Sequence, residues 1–202
     1  IENGNLVGIV TPETLLERNS FIIWQEETPE DFELKLEYRI TKEGNSGINY
    51  RSEEIDTIPF ALRGYQFDLD GQNHYTGQNY EERGRTTLAY RGQSVLLEPL
   101  PDSLAVIPKT TFIKNNAWTK SVVTDSVGDL AELDYSIKEN DWNSCHLVVH
   151  GNKMQHYVND VLMSEVIDND VQNRRTIGSI GVQVHVGPPM KVEFRNIRLK
   201  IL

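Results

Sequence analysis

The sequence is poor in cysteine, in basic residues and in long apolar runs, and each shortage excludes a class of protein. Its single cysteine, Cys145, excludes an internal disulfide and a zinc site built from cysteines. Thirty acidic residues against 20 basic ones give a net charge of -10, which argues against nucleic acid and anionic membrane surfaces as partners. No run approaches the roughly 18 apolar residues that a membrane span needs. The 202 residues, 38% of them hydrophobic, fit one large domain with a real core.

Strict alternation of apolar and polar residues is the strongest pattern that the sequence does contain. It runs from residue 31 to 40 and again from 65 to 70, and a period of two predicts β-strands with one buried face. We find no amphipathic helix of two turns or more, so the sequence predicts an all-β protein of two packed antiparallel sheets. We assign residues 1–202 to a single domain, in which an elaborated connection over about 99–140 is interrupted by prolines.

The strand that follows Gly64 carries the most suggestive polar face. Its apolar residues predict one buried side, and the other side carries Gln66, Asp68 and Asp70. The two carboxylates lie roughly 7 Å apart along such a strand, where they repel each other. A binding or catalytic surface explains this arrangement, and so does a solvated outer face; both interpretations stay open.

Aromatic and amide side chains follow that strand directly. Residues 72–80 include Tyr75 and Tyr80, and we predict a loop of the composition that carbohydrate sites use, with rings for stacking and amides for hydroxyl groups. Earlier in the chain, Arg51 ends a short strand. It can clamp a sugar oxygen or pair with a carboxylate such as Asp68, and neither interpretation is favoured.

Three polar positions stand out in the C-terminal strands. His156 alternates with apolar residues, a pattern more typical of a hydrogen-bonded core histidine than of a catalyst. Gln183 and His185 share the face opposite to a row of valines, and Glu193 shares a polar face with the basic residues around it. The sequence alone does not decide which of these faces meet.

Several motifs resemble those of the 3-keto-disaccharide hydrolase domain family, which is abundant in gut Bacteroidetes. They lie at residues 45–48, 51, 64–65, 76–77, 142–143, 151–159, 180–185 and 193–197. Together they span nearly the whole chain, and their order and spacing are more specific than any one motif. Two departures are Asp160, where a glycine is usual after Asn159, and a longer stretch at about 99–140, which indicates a different substrate.

The resemblance implies a concanavalin-A-like (lectin/glucanase) jelly-roll sandwich that acts on an oxidised disaccharide or glycoside. A ketone at sugar C3 acidifies the hydrogen on C2, so that a base can remove it and expel the C1 substituent before water adds. Such a site needs a base, an acid and donors or a metal for the enolate oxygen. The resemblance also implies a bacterial protein that is periplasmic, secreted or on the cell surface, and a leader upstream of Ile1 is compatible with that.

On this basis we hypothesise that His156 or His185 transfers protons, with Asp68 or Glu193 as its partner. A divalent metal ion held by Asp68, His185 and Glu193 stays open, although their spacing fits no recognised metal motif, and no other cofactor is expected. The predicted substrate-binding residues are Arg51, Tyr65, Gln66, Asp70, Tyr75, Tyr80 and Gln183.

Two other functions compete with this one. A conventional glycoside hydrolase would use two carboxylates flanking the bond, but the chain lacks the Glu-x-Asp-x-x-Glu strand of the glucanases with this fold. A carbohydrate-binding module without catalysis uses the same fold. A shifted carboxylate or histidine in a cleft would favour an enzyme, and a shallow face of exposed aromatic rings would favour a binding module.

Overall fold

The protein is a β-sandwich, seen here in a computed structural model that describes residues 1–99 and 121–202. Within these residues one short helix, α1 (Leu130–Tyr135), begins at the N-cap Asp129. The described strands are β1 (Leu6–Val10), β2 (Ser20–Ile23), β3 (Phe32–Ile40), β4 (Asn45–Glu54), β5 (Leu62–Asp70), β6 (Asn79–Glu82), β7 (Thr86–Ala89), β8 (Gln93–Leu97), β9 (Ser121–Ser126), β10 (Asn143–His150), β11 (Lys153–Val158), β12 (Val161–Asp168), β13 (Ser179–Val184) and β14 (Met190–Ile201).

The strands form two sheets. One has eight strands in the order β1-β14-β3-β10-β11-β12-β8-β9, and the other has six in the order β2-β13-β4-β5-β6-β7. Among the described strands all pairings are antiparallel except that of β8 with β12. This confirms the predicted all-β jelly-roll sandwich. No described helix has the length and apolar character that crossing a membrane requires.

The core forms where the apolar faces of the two sheets meet. In β3 every second side chain is buried, as its alternation predicts, and these side chains belong to the core. The six-stranded sheet contributes Tyr50, Tyr65 and Phe67, of which the two tyrosine rings stack with centroids 5.5 Å apart. Since Tyr65 and Phe67 point into the core, Gln66 and Asp68 necessarily lie on the opposite, outer face of the sheet.

The structure differs from the predicted loop around Tyr80 and describes only part of the predicted connection at about 99–140. Tyr80 was expected in a loop, but it lies in β6, which pairs with β5 and β7. Of the elaborated connection at about 99–140, residues 100–120 lie outside the described residues. The remainder contains β9 and α1, and β9 extends the edge of the eight-stranded sheet beside β8.

Candidate functional site

The outer face of the six-stranded sheet is built by strand register. Asp68 of β5 lies opposite Gly47 of β4, and Gln66 lies between Asn49 of β4 and Tyr80 of β6. Residues opposite each other on neighbouring strands project to the same side. Register therefore gathers amide, carboxyl and phenol groups from several strands on one surface.

A chain of side-chain amides surrounds the Asp68 carboxylate. Gln66 Nε2 donates to Asp68 Oδ1 and Gln78 Nε2 donates to Asp68 Oδ2, both at 2.5 Å. Gln183 Nε2 in turn donates to Gln66 Oε1 at 3.1 Å. These three glutamines are buried. We call Gln66, Asp68, Gln78, Gln183 and the neighbouring Glu82 the amide–carboxyl cluster.

Gly47 makes room for this chain of amides. A Cβ atom at this position would lie 2.6 Å from Cγ and from Cδ of Gln66, which is closer than side-chain atoms pack. The Gln66 side chain therefore lies across β4 at the one place where β4 has no side chain. From there it reaches both Gln183 and Asp68.

The surroundings of Asp68 shift its protonation into the neutral range. Burial raises the pKa of Asp68 from 3.8 to about 7, although the hydrogen bonds from Gln78 and Gln66 oppose the shift, and the charges of Glu82 and Asp70 add to it. The largest contributions come from burial, amides and carboxylates, and none of them from a cation. Asp68 keeps 7% of its surface exposed, so the carboxyl group lies just beneath the outer face.

Glu82 is a second carboxyl group on this face that the sequence did not indicate. Burial raises the pKa of Glu82, while Arg83 and hydrogen bonds with Asn19 and Gln183 lower it. Glu81 and Glu82 are adjacent in β6, so their side chains point to opposite sides of the sheet. The sequence could have indicated Glu82 only if residues 79–82 had been predicted as a strand. The tyrosine two residues earlier, Tyr80, shares its face.

Three further predicted residues lie at the margin of this surface or support it. Asp70 accepts hydrogen bonds from the backbone N–H groups of His74, Tyr75 and Thr76, so its carboxylate shapes the following turn. Tyr75 in that turn is half exposed. His185 directly follows β13, where its Nδ1 lies 2.5 Å from the carbonyl of Val186; burial lowers its pKa.

His156 and Tyr65 lie in the core, which corrects their prediction as site residues. The wholly buried His156 ring stacks on Phe67 at 4.2 Å, and burial lowers its pKa to about 3. Its Nδ1 faces the carbonyl of Gln78, so Nδ1 carries the proton, and Nε2 accepts from the Tyr50 hydroxyl at 2.9 Å. A neutral imidazole held in this way supports the segment that leads into β6 and does not reach the surface.

Arg51 and Glu193 are also separate from the cluster, which corrects two further predictions. Arg51 is 1% exposed, and its guanidinium donates to the carbonyls of Glu30 and Gly151 and to Asp31 Oδ1, not to Asp68. Glu193 belongs to the eight-stranded sheet, where it pairs with a surface arginine. The metal site suggested for Asp68, His185 and Glu193 is not formed, and the described residues contain no group of three such side chains placed to hold a metal ion.

A second group of buried charges ties the two sheets together, and we call it the ion cluster. Arg85, in the turn after β6, pairs with Glu81 at 2.9 Å, Asp168 at 2.5 Å and Asp170 at 3.4 Å. Tyr65 donates its hydroxyl hydrogen to Asp168 at 2.6 Å. Burial by itself lowers the pKa of Arg85, but Glu81 and Asp168 outweigh it and raise the pKa well above its ordinary value.

Comparison with known proteins identifies the family. The family described as the 3-keto-alpha-glucoside-1,2-lyase-like domain matches residues 1–200. No curated protein matches the chain significantly.

Three solved structures share the fold. A "putative glycosyl hydrolase" from Parabacteroides distasonis ATCC 8503 is 18% identical with a TM-score of 0.57, over 100% of this chain and 82% of that one. The carbohydrate-binding module CBM66 from Bacillus subtilis is 15% identical with a TM-score of 0.53, over 98% and 95%. A protein of unknown function with a galectin-like fold from Bacillus subtilis is 11% identical with a TM-score of 0.53, over 96% and 86%. At these identities the likeness establishes the fold alone.

Proposed function

The chain belongs to the family of 3-keto-alpha-glucoside-1,2-lyase-like domains, and on that premise we propose that it cleaves glycosides already oxidised to a ketone at C3. The observation that carries this proposal is the Asp68 carboxyl group, whose pKa is about 7 and which lies just beneath the outer face of the six-stranded sheet. A group that is half ionised at neutral pH serves well as base and as acid.

The reaction needs a proton to leave C2 and another to reach the departing oxygen. The Asp68 carboxylate removes the C2 proton, and the C–H electron pair forms the C2=C3 double bond of an enolate. As the C3 carbonyl re-forms, a C1=C2 double bond forms and the C1–O bond breaks. The departing oxygen takes a proton from a carboxyl group, and addition of water across C1=C2 completes the hydrolysis.

The amide–carboxyl cluster supports both proton transfers. Gln66 and Gln78 each donate to one oxygen of Asp68, which fixes the plane of the carboxylate and leaves further lone pairs for the substrate proton. Glu82, whose pKa is also raised by burial, is the second carboxyl group on the same face. We assign Asp68 the role of base, and Glu82 or protonated Asp68 the role of acid.

The proposal is tested by offering the protein a 3-keto-glucoside beside its unoxidised parent. We expect release of the alcohol from the keto sugar alone, with kcat/KM rising with pH and levelling off above about 7, because Asp68 must first ionise. Asp68→Asn should lower kcat/KM by about 10²–10⁴-fold, the usual contribution of a positioned base. Glu37→Gln, a partly exposed acid on the eight-stranded sheet, is the matched control.

The other outcomes identify the competing functions. Cleavage of the parent glycoside would indicate a conventional glycosidase. Binding of either sugar without turnover would indicate a carbohydrate-binding module. Turnover of the keto sugar that Asp68→Asn leaves unchanged would remove Asp68 from the mechanism.

A further inference from the structure

Tyr80 of β6 lies on the polar face described above, beside the strand that carries Asp68. It pairs with Gln66 of β5 on one side and with Thr87 of β7 on the other. Glu82 follows Tyr80 by two residues in β6, so alternation projects both side chains to the same side. Gln78, directly before β6, reaches the same face, since its side chain donates to Asp68. Tyr80 therefore stands among the groups that hold or flank the Asp68 carboxylate.

The Tyr80 hydroxyl donates to no described residue. Buried tyrosine hydroxyl groups normally find a partner, as the hydroxyl of Tyr65 does with Asp168 in the core. Tyr80 is only partly buried. A phenol held by the sheet and without a partner among residues 1–99 and 121–202 is a donor that a ligand can use.

The electrostatics of the site keep this donor protonated. Burial raises the pKa of Tyr80 to about 12, and the charges of Glu82 and Asp68 act in the same direction. The phenol is thus neutral at every pH where Asp68 titrates.

The spacing of Tyr80 and Asp68 fits the two atoms that change charge during enolisation. The two residues are diagonal neighbours on adjacent strands, which places their backbones roughly 7–8 Å apart with both side chains on one face. A sugar bound between them would present the C2 hydrogen to one and the C3 oxygen to the other.

We propose that the Tyr80 hydroxyl donates a hydrogen bond to the C3 oxygen of the substrate and stabilises the enolate that forms there. This inference rests on the proposed function and deepens it, since it gives Tyr80 a catalytic role in place of the stacking role expected from the sequence. A donor aimed at an oxygen whose charge grows stabilises the transition state more than the bound ketone. Tyr80 would therefore act in enolisation, a step that requires the ketone at C3, and would contribute little to sugar binding.

Hydrogen exchange in a sugar that cannot be cleaved isolates this step. The probe is 3-keto-1,5-anhydroglucitol, which has a C2 hydrogen and a C3 ketone but no aglycone at C1. In D₂O the wild-type protein should replace the C2 hydrogen of the probe by deuterium. The loss of the C2 proton signal in the NMR spectrum measures the rate of this exchange. Tyr80→Phe should slow the exchange at saturating probe by roughly 10²–10³-fold and change the probe's Kd by less than about threefold. Tyr135→Phe, in the exposed end of α1, is the matched control.

The outcomes separate this inference from the proposed function. Exchange by Tyr80→Phe at the wild-type rate, or weaker binding with an unchanged saturated rate, would overturn the role of Tyr80 and leave the proposed function intact. A wild-type protein that neither exchanges the probe nor cleaves a 3-keto-glucoside would overturn both. Because the lost hydroxyl has no described partner, Tyr80→Phe should keep the wild-type Tm, which excludes misfolding as the cause of slow exchange.

Discussion

The amide–carboxyl cluster and the ion cluster bury carboxyl groups in opposite ways. In the ion cluster, Arg85 compensates the charges of Glu81, Asp168 and Asp170, and its guanidinium is held at several points. In the amide–carboxyl cluster, neutral amides hold Asp68. Amides satisfy the lone pairs of a carboxylate but supply no positive charge.

The difference separates a structural role from a chemical one. A buried carboxylate with a cation stays ionised and ties its neighbours together, whereas burial without a cation favours the protonated form. The ion cluster joins β6 of one sheet to the end of β12 in the other and acts as a lock. Asp68 is left poised near neutral pH. The same residue types therefore serve stability on the inner face of β6 and proton transfer on the outer face of its sheet.

The largest effect should come from removing the cation of the ion cluster. Arg85→Met leaves three buried carboxylates uncompensated, which should lower the free energy of unfolding by about 3–5 kcal/mol. Urea denaturation at pH 7 measures this loss.

A surface arginine gives the control. Arg63 lies 3.8 Å from Glu53, with both side chains about half exposed, so Arg63→Met should cost less than about 1 kcal/mol. Equal losses for the two variants would show that the ion cluster is not a lock, and the contrast with the amide–carboxyl cluster would lose its structural half.

The second effect concerns pH and Asp68. The unfolded chain ionises this residue near 3.8, but the folded protein keeps its proton up to about 7. The folded state therefore binds more protons between these values, and the stability contributed by protonated Asp68 is lost as pH rises. The change is on the order of 4 kcal/mol. Asp68→Asn should remove this pH-dependent loss. The free energy of unfolding of the variant should therefore rise relative to that of the wild type as the pH increases from 4 to 8.

Glu193→Gln should change the pH dependence of stability in the opposite direction to Asp68→Asn. Burial acts to raise the pKa of Glu193, but the hydrogen bond and charge of Arg39 outweigh it and lower the pKa. Its stabilising contribution is present above the unfolded pKa and is lost as pH falls, so this variant should lose its difference from the wild type in acid. Parallel stability–pH curves for wild type and Asp68→Asn would show that Asp68 is not perturbed.

The fold was predictable from the sequence where alternation is long and strict. The nine residues of β3 bury every second side chain as expected, and the core and outer faces of β5 are those predicted from Tyr65 to Asp70. Short strands with mixed polarity were not predictable. In β6 only four residues pair, and two of them are consecutive glutamates with different destinations.

The sequence predicted which site residues share a face of one strand, but not which residues of different strands lie together. Alternation placed Gln66 and Asp68 on a polar face, and both belong to the amide–carboxyl cluster. The sequence does not say which sheet a strand joins, so Glu193 was grouped with Asp68 although it belongs to the other sheet. For Asp70 a local signal existed: an aspartate before Gly71 is typical of a turn-forming carboxylate, and that is its role here.

The smallest effect should come from one methyl group at Gly47. In Gly47→Ala the new Cβ overlaps Cγ and Cδ of Gln66, so the amide must leave Asp68 and Gln183. We expect a loss of about 1–3 kcal/mol in stability. We also expect a further rise in the pKa of Asp68, because one donor to its carboxylate is gone. Urea denaturation and a ¹³C NMR titration of the carboxyl carbon measure the two changes.

A double-mutant cycle shows whether the amide is responsible. Gln66→Ala removes the atoms that the new methyl group would meet, so adding Gly47→Ala to it should cost almost nothing further and should not move the Asp68 pKa again. Additive losses would place the strain in β4 itself. In that case Gly47 would be needed by the strand, and the path from Gln183 through Gln66 to Asp68 would not depend on it.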